Sequence, residues 1–232
     1  MSGFRSSSVA YFRHMVGSVL LVATAIPTVS TMAAARPVLE RQVLAALNDI
    51  RSAPDTHVED METYRRHLRG RIVTMPGTRI TYRTLEGDRP VREAALFLST
   101  VGSRQPLVPD PVLTAAAADH VAEQSSSGTT GHYGADGADP ALRVVRRGGG
   151  AMVTEVIAYG ALDAADVVRQ FVIDDGVPGR GHRRAIFAGR LRYAGVACGP
   201  HPKYRTMCVI DMAATPGGEI ESDRPLNIAS SR

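Results

Sequence analysis

Tryptophan is absent from this 232-residue chain, and aromatic residues make up only 5% of it. No stacking platform for bases or sugars is therefore advertised. Lysine and arginine never form a run longer than the pairs Arg65-Arg66, Arg146-Arg147 and Arg183-Arg184. Scattered pairs of this kind are solvated helix faces, so nucleic acid is not an expected partner. No H-E-x-x-H and no G-x-S-x-G occurs, which removes the signatures of zincins and of the hydrolase nucleophile elbow. The glycine loop at 176–181 runs into Gly181-His182 rather than Gly-Lys, so it is not a P-loop. Only two cysteines are present, too few for a Cys-only zinc site.

What is present begins with an export signature. Arg5, Arg13 and His14 form a basic start, Met15 to Ile26 is mostly apolar, and Ala33-Ala34-Ala35 offers a small-residue cleavage site. Pro27 cuts the apolar run short of the ~18 residues that a spanning helix needs. Residues 1–35 are therefore read as a cleaved signal peptide, with no stable membrane anchor and a secreted, periplasmic or extracellular location. In that oxidising setting Cys198 and Cys208 are expected to form a disulfide. They stand at the inner ends of two strand-like runs, "LRYAGVAC" and "TMCVIDM", which read as a hairpin.

Between these ends the 44% apolar chain supports a real core. Leu39, Val43, Leu47 and Ile50 recur at helical spacing and predict a helix over 38–51. Further helices are expected over 56–69, ending at Gly70, and over 90–101, with an irregular excursion at 71–88. Asp110-Pro111 and Asp139-Pro140 each place an Asx cap before proline at the first helical position. The alanine run after Pro111 permits close packing. "MVTEVIAY" is strand-like, and "DAADVVRQFVID" returns to helical spacing. The sum is an α+β fold, with a loose tail over 214–232 and a monomer as the expected state.

Chemistry concentrates in "TGHYGADGADPALR", "TEVIAYG" and "DDGVPGRGHRRAIF". These place His132 in a glycine-bracketed loop, Glu155 in mid-strand and His182 after a glycine loop headed by Asp174. Arg183 and Arg184 read as outward-facing or paired with Asp174 and Asp175. Three uses are open to such a set. It can ligate Zn²⁺ or another divalent cation, do general acid/base work through Glu155 and a histidine such as His182, or form a buried polar network.

In five ordered blocks, "LTAAAADHVAEQ", "GHYGADGADPALRV", "TEVIAYG", "DDGVPGRGHRRAIF" and "AGVACGPHPKYRTMCVIDMA", the chain resembles the CAP superfamily. This is the cysteine-rich secretory, venom-antigen and plant pathogenesis-related group, here in its bacterial secreted (SCP-like) branch. The resemblance runs from about Leu39 to Ala213. It implies an α–β–α sandwich with a C-terminal hairpin and a cleft lined by two histidines and two acids. His132, Glu155 and His182 match three of those positions. Asp174 matches the fourth, three residues after Phe171, which stands where relatives have tryptophan. Val156 stands where relatives have an asparagine. Over 36–213 the resemblance implies a CAP domain with a helical extension at 36–105. It implies a secreted binding module for an extracellular ligand such as a lipid or cell-envelope component, and the chemistry of the residues themselves leaves open a divalent metal, held by His132 and His182, in its place. The alternative is a metal-assisted hydrolase of peptide or cell-wall polymer.

Overall fold

A computed structural model describes residues 29–74 and 81–220, with side chains from Pro37 onward. Most of the expected signal peptide lies outside the described residues. Residues 29–35 belong to the first helix, α1 (Val29–Ser52), which starts earlier than its amphipathic stretch. A single 3-10 turn leads to α2 (Val58–Arg66). Three short strands follow, β1 (Leu68–Arg69), β2 (Ile72–Thr74) and β3 (Thr81–Arg83), and then α3 (Arg89–Leu98). Next come β4 (Val108–Pro109), α4 (Pro111–Ser127), α5 (Pro140–Arg146), β5 (Val153–Tyr159), α6 (Ala164–Ile173) and α7 (Gly181–Ile186). The hairpin strands β6 (Tyr193–His201) and β7 (Arg205–Ala213) complete the order.

The main sheet runs β4-β6-β7-β5, antiparallel except for the parallel β4–β6 pair. Strand alternation divides its side chains between two faces. Ala194, Val196, Cys198, Ile210, Met212 and Val156 pack in the larger core, with Leu47 of α1 and Phe171 of α6. On the other face Ala197, Val209 and Ile157 pack against Ala117 and Val121 of α4. Helices thus cover both sides of the sheet.

The predicted proline starts hold. Asp110 Oδ1 accepts from the backbone N–H of Val112 and of Leu113 at 2.9 Å each, and Asp139 Oδ1 accepts from Leu142 at 2.7 Å. The alanine run works together with glycine in β6. A Cβ on Gly195 would overlap the backbone of Leu113 and Thr114, so only glycine lets α4 lie this close. At the end of α1, fully buried Arg51 donates to the carbonyls of Gln105, Ile186 and Leu191, tying three chain segments together.

Three expectations need correction. The stretch 71–88 is no irregular excursion and the 36–105 extension is not purely helical, because β1, β2 and β3 form a three-stranded antiparallel sheet. Gly70, at φ +60°, opens its first two-residue turn, a position that favours glycine. Strands of two or three residues are too short to show an alternation in sequence. The described start of the tail is also tied down. The N–H of Gly217 donates to Asp110 Oδ2 at 2.8 Å, and Gly217 and Gly218 are buried.

The expected disulfide is present. Cys198 and Cys208 face each other across β6 and β7 with Cα atoms 4.1 Å apart. Replacing both with serine should lower stability by about 2–3 kcal/mol, the loop-closure value for so short a segment. Urea denaturation of the oxidised protein and the double variant checks this. An unchanged midpoint would show that the hairpin does not need the bridge.

Candidate functional site

Glu155 lies near the middle of β5, its side chain 1% exposed, and both of its oxygens are engaged. His132 Nδ1 lies 2.7 Å from Oε1, and Arg143 Nη2 donates to Oε2 at 2.5 Å. A strand glutamate ordinarily faces solvent. This one is buried because Arg143, on α5, is buried opposite it. The same guanidinium donates from Nη1 to the carbonyls of His132 (2.9 Å) and Ala138 (3.0 Å). One arginine therefore holds both the backbone of the histidine loop and the carboxylate that orients its ring.

The loop before His132 is held from the other side as well. The carbonyl of Gly131 accepts from His120 Nε2 and Gln124 Nε2, each at 2.8 Å. Its N–H donates to the Tyr159 hydroxyl at 3.0 Å, and that hydroxyl donates to Gln124 Oε1 at 2.7 Å. His201 Nε2 donates to the carbonyl of Thr129 at 2.9 Å. His132 thus sits on fixed backbone, although its side chain is 43% exposed.

The second histidine is built in a parallel way. Asp174 ends α6 in the left-handed region at φ 57°, a conformation that asparagine and aspartate tolerate better than most residues. Its side chain, 1% exposed, takes three donors: His182 Nδ1 at 2.8 Å, the His182 N–H at 2.9 Å and the Arg183 N–H at 3.2 Å. Gly176 and Gly179 have positive φ and turn the loop, while Gly181 is ordinary helix at the start of α7. Arg180, at φ 54°, is held by Glu86, Glu93 and the Asp174 carbonyl. The Arg180 guanidinium, then the Gly176 N–H, pull the Glu86 carboxyl down to about 2.

The expected exposure of Arg183 is corrected. Its guanidinium is buried and donates to the carbonyls of Val172 and Ile173, which end α6 and lack intrahelical donors, and of Pro90 at the start of α3. Arg184 is the outer member of the pair and reaches the carbonyl of Gly179.

The two imidazoles, 50 positions apart in sequence, lie with ring centroids 6.5 Å apart. Phe171 meets the His182 ring edge-on at 5.7 Å. His182 also lines a cleft of about 340 Å³ whose wall includes Tyr64, Tyr82, Ile157, Tyr159 and Phe171. A carboxylate can only accept, so each Nδ1 is the donor, and in the neutral ring each Nε2 keeps its lone pair. Among the described residues neither Nε2 has a protein partner, and no group of three or more His, Cys, Asp or Glu is arranged to hold a metal. Both carboxylates are already occupied, so a cation here would have two protein nitrogens and otherwise water.

Arg143 was not among the residues singled out in the sequence, and neither was Asp211. Asp211 pairs with Glu155 across β5 and β7 and is fully buried, and among the described residues neither carboxyl oxygen has a hydrogen-bond partner. Burial, and then the Glu155 charge beside it, push its carboxyl well above the usual range, against the opposing pull of Arg143. A lone carboxylate in the apolar run "CVIDM" was the available signal.

Helices on both faces of a small mixed sheet, with two adjacent histidine–acid pairs of which His182 and Asp174 line the cleft, make an α+β sandwich. The chain belongs to the Cysteine-rich secretory protein (CAP) family, whose sequence model matches residues 44–212. Among solved structures, an extracellular SCP-domain protein from Bacillus anthracis is 15% identical with a TM-score of 0.41, over 47% of this chain and 34% of that one. An outer surface protein from Borrelia burgdorferi is 17% identical with a TM-score of 0.38, over 46% of this chain and 75% of that one. The chain thus spans about a third of the Bacillus protein it matches. No curated protein matches it.

Because Asp211 binds its proton more tightly when folded, stability should decline as pH rises from about 4, the unfolded value, toward its raised folded value. Asp211→Asn needs no proton. Its stability relative to the parent should grow from about pH 4, the unfolded value, up to neutral pH. Urea midpoints across that range test this. A uniform loss of stability at every pH would contradict a neutral Asp211.

Proposed function

We propose that this protein is a secreted CAP-domain binding module whose cleft takes a small ligand. The apolar wall of Tyr82, Ile157, Tyr159 and Phe171 suits an apolar molecule such as a lipid or cell-envelope component. The imidazole pair forms a polar end able to accept hydrogen bonds or to share a divalent cation such as Zn²⁺. The observation that carries this reading is the pair itself: two adjacent rings, each bonded through Nδ1 to a buried carboxylate, each with an Nε2 that has no partner among the described residues. Carboxylate support of this kind fixes the tautomer of a ligating histidine and raises its basicity. When bound, a divalent ion would supply a positive centre with open water positions.

The hydrolase alternative has less support. Glu155 already receives His132 and Arg143, and Asp174 receives three donors, so neither is placed as a free general base. The sequence also has no nucleophile motif.

Zinc titration by calorimetry, on the exported protein and on His132→Ala and His182→Ala, tests the paired site. Each substitution should weaken binding by about tenfold or more, and affinity should fall on acidification because only neutral imidazole ligates. Equal, pH-independent binding in all three proteins would rule out the cation reading and leave the apolar cleft.

A further inference from the structure

Away from the imidazoles, the chain segregates its charge. Between Glu62 and Glu86 there is no carboxylate and there are six arginines, five of them among the described residues. The rest of the chain after residue 35 has 19 Lys and Arg against 23 Asp and Glu, so the positive excess of the exported protein lies in this one segment.

The fold turns that composition into a surface. In the β1–β2–β3 sheet, Arg69 pairs with Ile72 and Ile72 pairs with Arg83, so the three stand in one row across the strands. Directly paired residues share a face. Leu68 and Val73 occupy the opposite face and are buried, which leaves Arg69, Ile72 and Arg83 on the solvent side together with Thr74 and Thr81. Ile72 is 41% exposed between its two arginines. Neither Arg69 nor Arg83 is in an ion pair among the described residues. Arg65 and Arg66, at the end of α2, line a concave surface with Arg69 and Gly70. Their exposed pairs with Glu62 and Glu59, each at 2.8 Å, are of a kind that contributes little, and Asp88 is the one carboxylate on that concave surface.

We infer that this open face of the three-stranded sheet docks the exported protein on an anionic phospholipid surface. Arginine forks bind phosphate oxygens bidentately. An exposed aliphatic residue set among them fits the boundary between headgroups and acyl chains, which a soluble polyanion does not offer. Attraction of basic residues to an anionic leaflet acts within a Debye length and weakens with salt. Arg83 also stands on the wall of the cleft, so docking sets the mouth of the cleft beside the bilayer. The proposal stands without the cation reading, since none of these residues touches either imidazole.

The test is co-sedimentation of the exported chain with phosphatidylcholine vesicles and with vesicles containing one-quarter phosphatidylglycerol. Binding is expected only to the anionic vesicles and should weaken as salt is raised. The Arg69→Glu/Arg83→Glu double variant should lose about tenfold or more in partition, given the strength of each basic contact. Arg69→Gln/Arg83→Gln should lose less. Reversal of the exposed pair Arg146 and Arg147 on α5 should leave binding as it was. A thermal melt matching the parent establishes that the variants are folded. No binding to anionic vesicles, equal binding by parent and Arg69→Glu/Arg83→Glu, or preference for soluble polyphosphate over vesicles would each overturn the proposal.

Discussion

The buried ion pair between Glu155 and Arg143 is the constraint on which the placement of His132 depends. It joins β5, α5 and the loop that carries His132, three pieces with no backbone ladder in common. The guanidinium meets one carboxylate oxygen and two carbonyls, and the other oxygen meets the imidazole. Burying such a pair is costly in itself, but removing one partner strands the other, typically at about 3–5 kcal/mol. Asp211 adds a second carboxyl beside the first, and a single arginine cannot balance two buried negative charges. A protonated Asp211 therefore favours the pair, in line with the upward push that burial and the Glu155 charge give its carboxyl.

The His182 side solves the same problem without an arginine at its centre. Asp174 is satisfied by two backbone N–H groups at the start of α7 and by the ring of His182. Its left-handed backbone is stabilised by the clasp of Arg180 on Glu86 and Glu93. The site is thus a meeting of two independently supported histidines. A long common scaffold connects them: the sheet positions β5, and α6 and α7 pack into the larger core through Phe171 and Ile186.

Much of this frame could be read from the residues because the signals were local. Asp-Pro pairs marked two helix starts, glycines marked the turns around His182, and two strand-like apolar runs flanking a Gly- and Pro-containing loop marked the hairpin with its cysteines. The remainder depended on contacts distant in sequence. Arg143 reads as one more charge on a short helix until α5 is folded against β5. Arg183 reads as a surface residue beside Arg184 until the ends of α6 and the start of α3 present carbonyls to it. The β1–β2–β3 sheet escaped notice because its strands are only two or three residues long, and β4 because it pairs parallel to β6 across a long crossover.

The most direct measurement of the central arrangement is long-range ¹H–¹⁵N NMR of the imidazoles at neutral pH. Carboxylates opposite both Nδ1 atoms require a proton on Nδ1 of His132 and of His182, so that the neutral form of each ring is the Nδ1–H tautomer with a pyridine-like Nε2. That spectrum, with the His132 signature altered in Glu155→Gln and the His182 signature unchanged, is the predicted result. Nε2–H tautomers at either ring, or a His132 spectrum indifferent to Glu155, would contradict it.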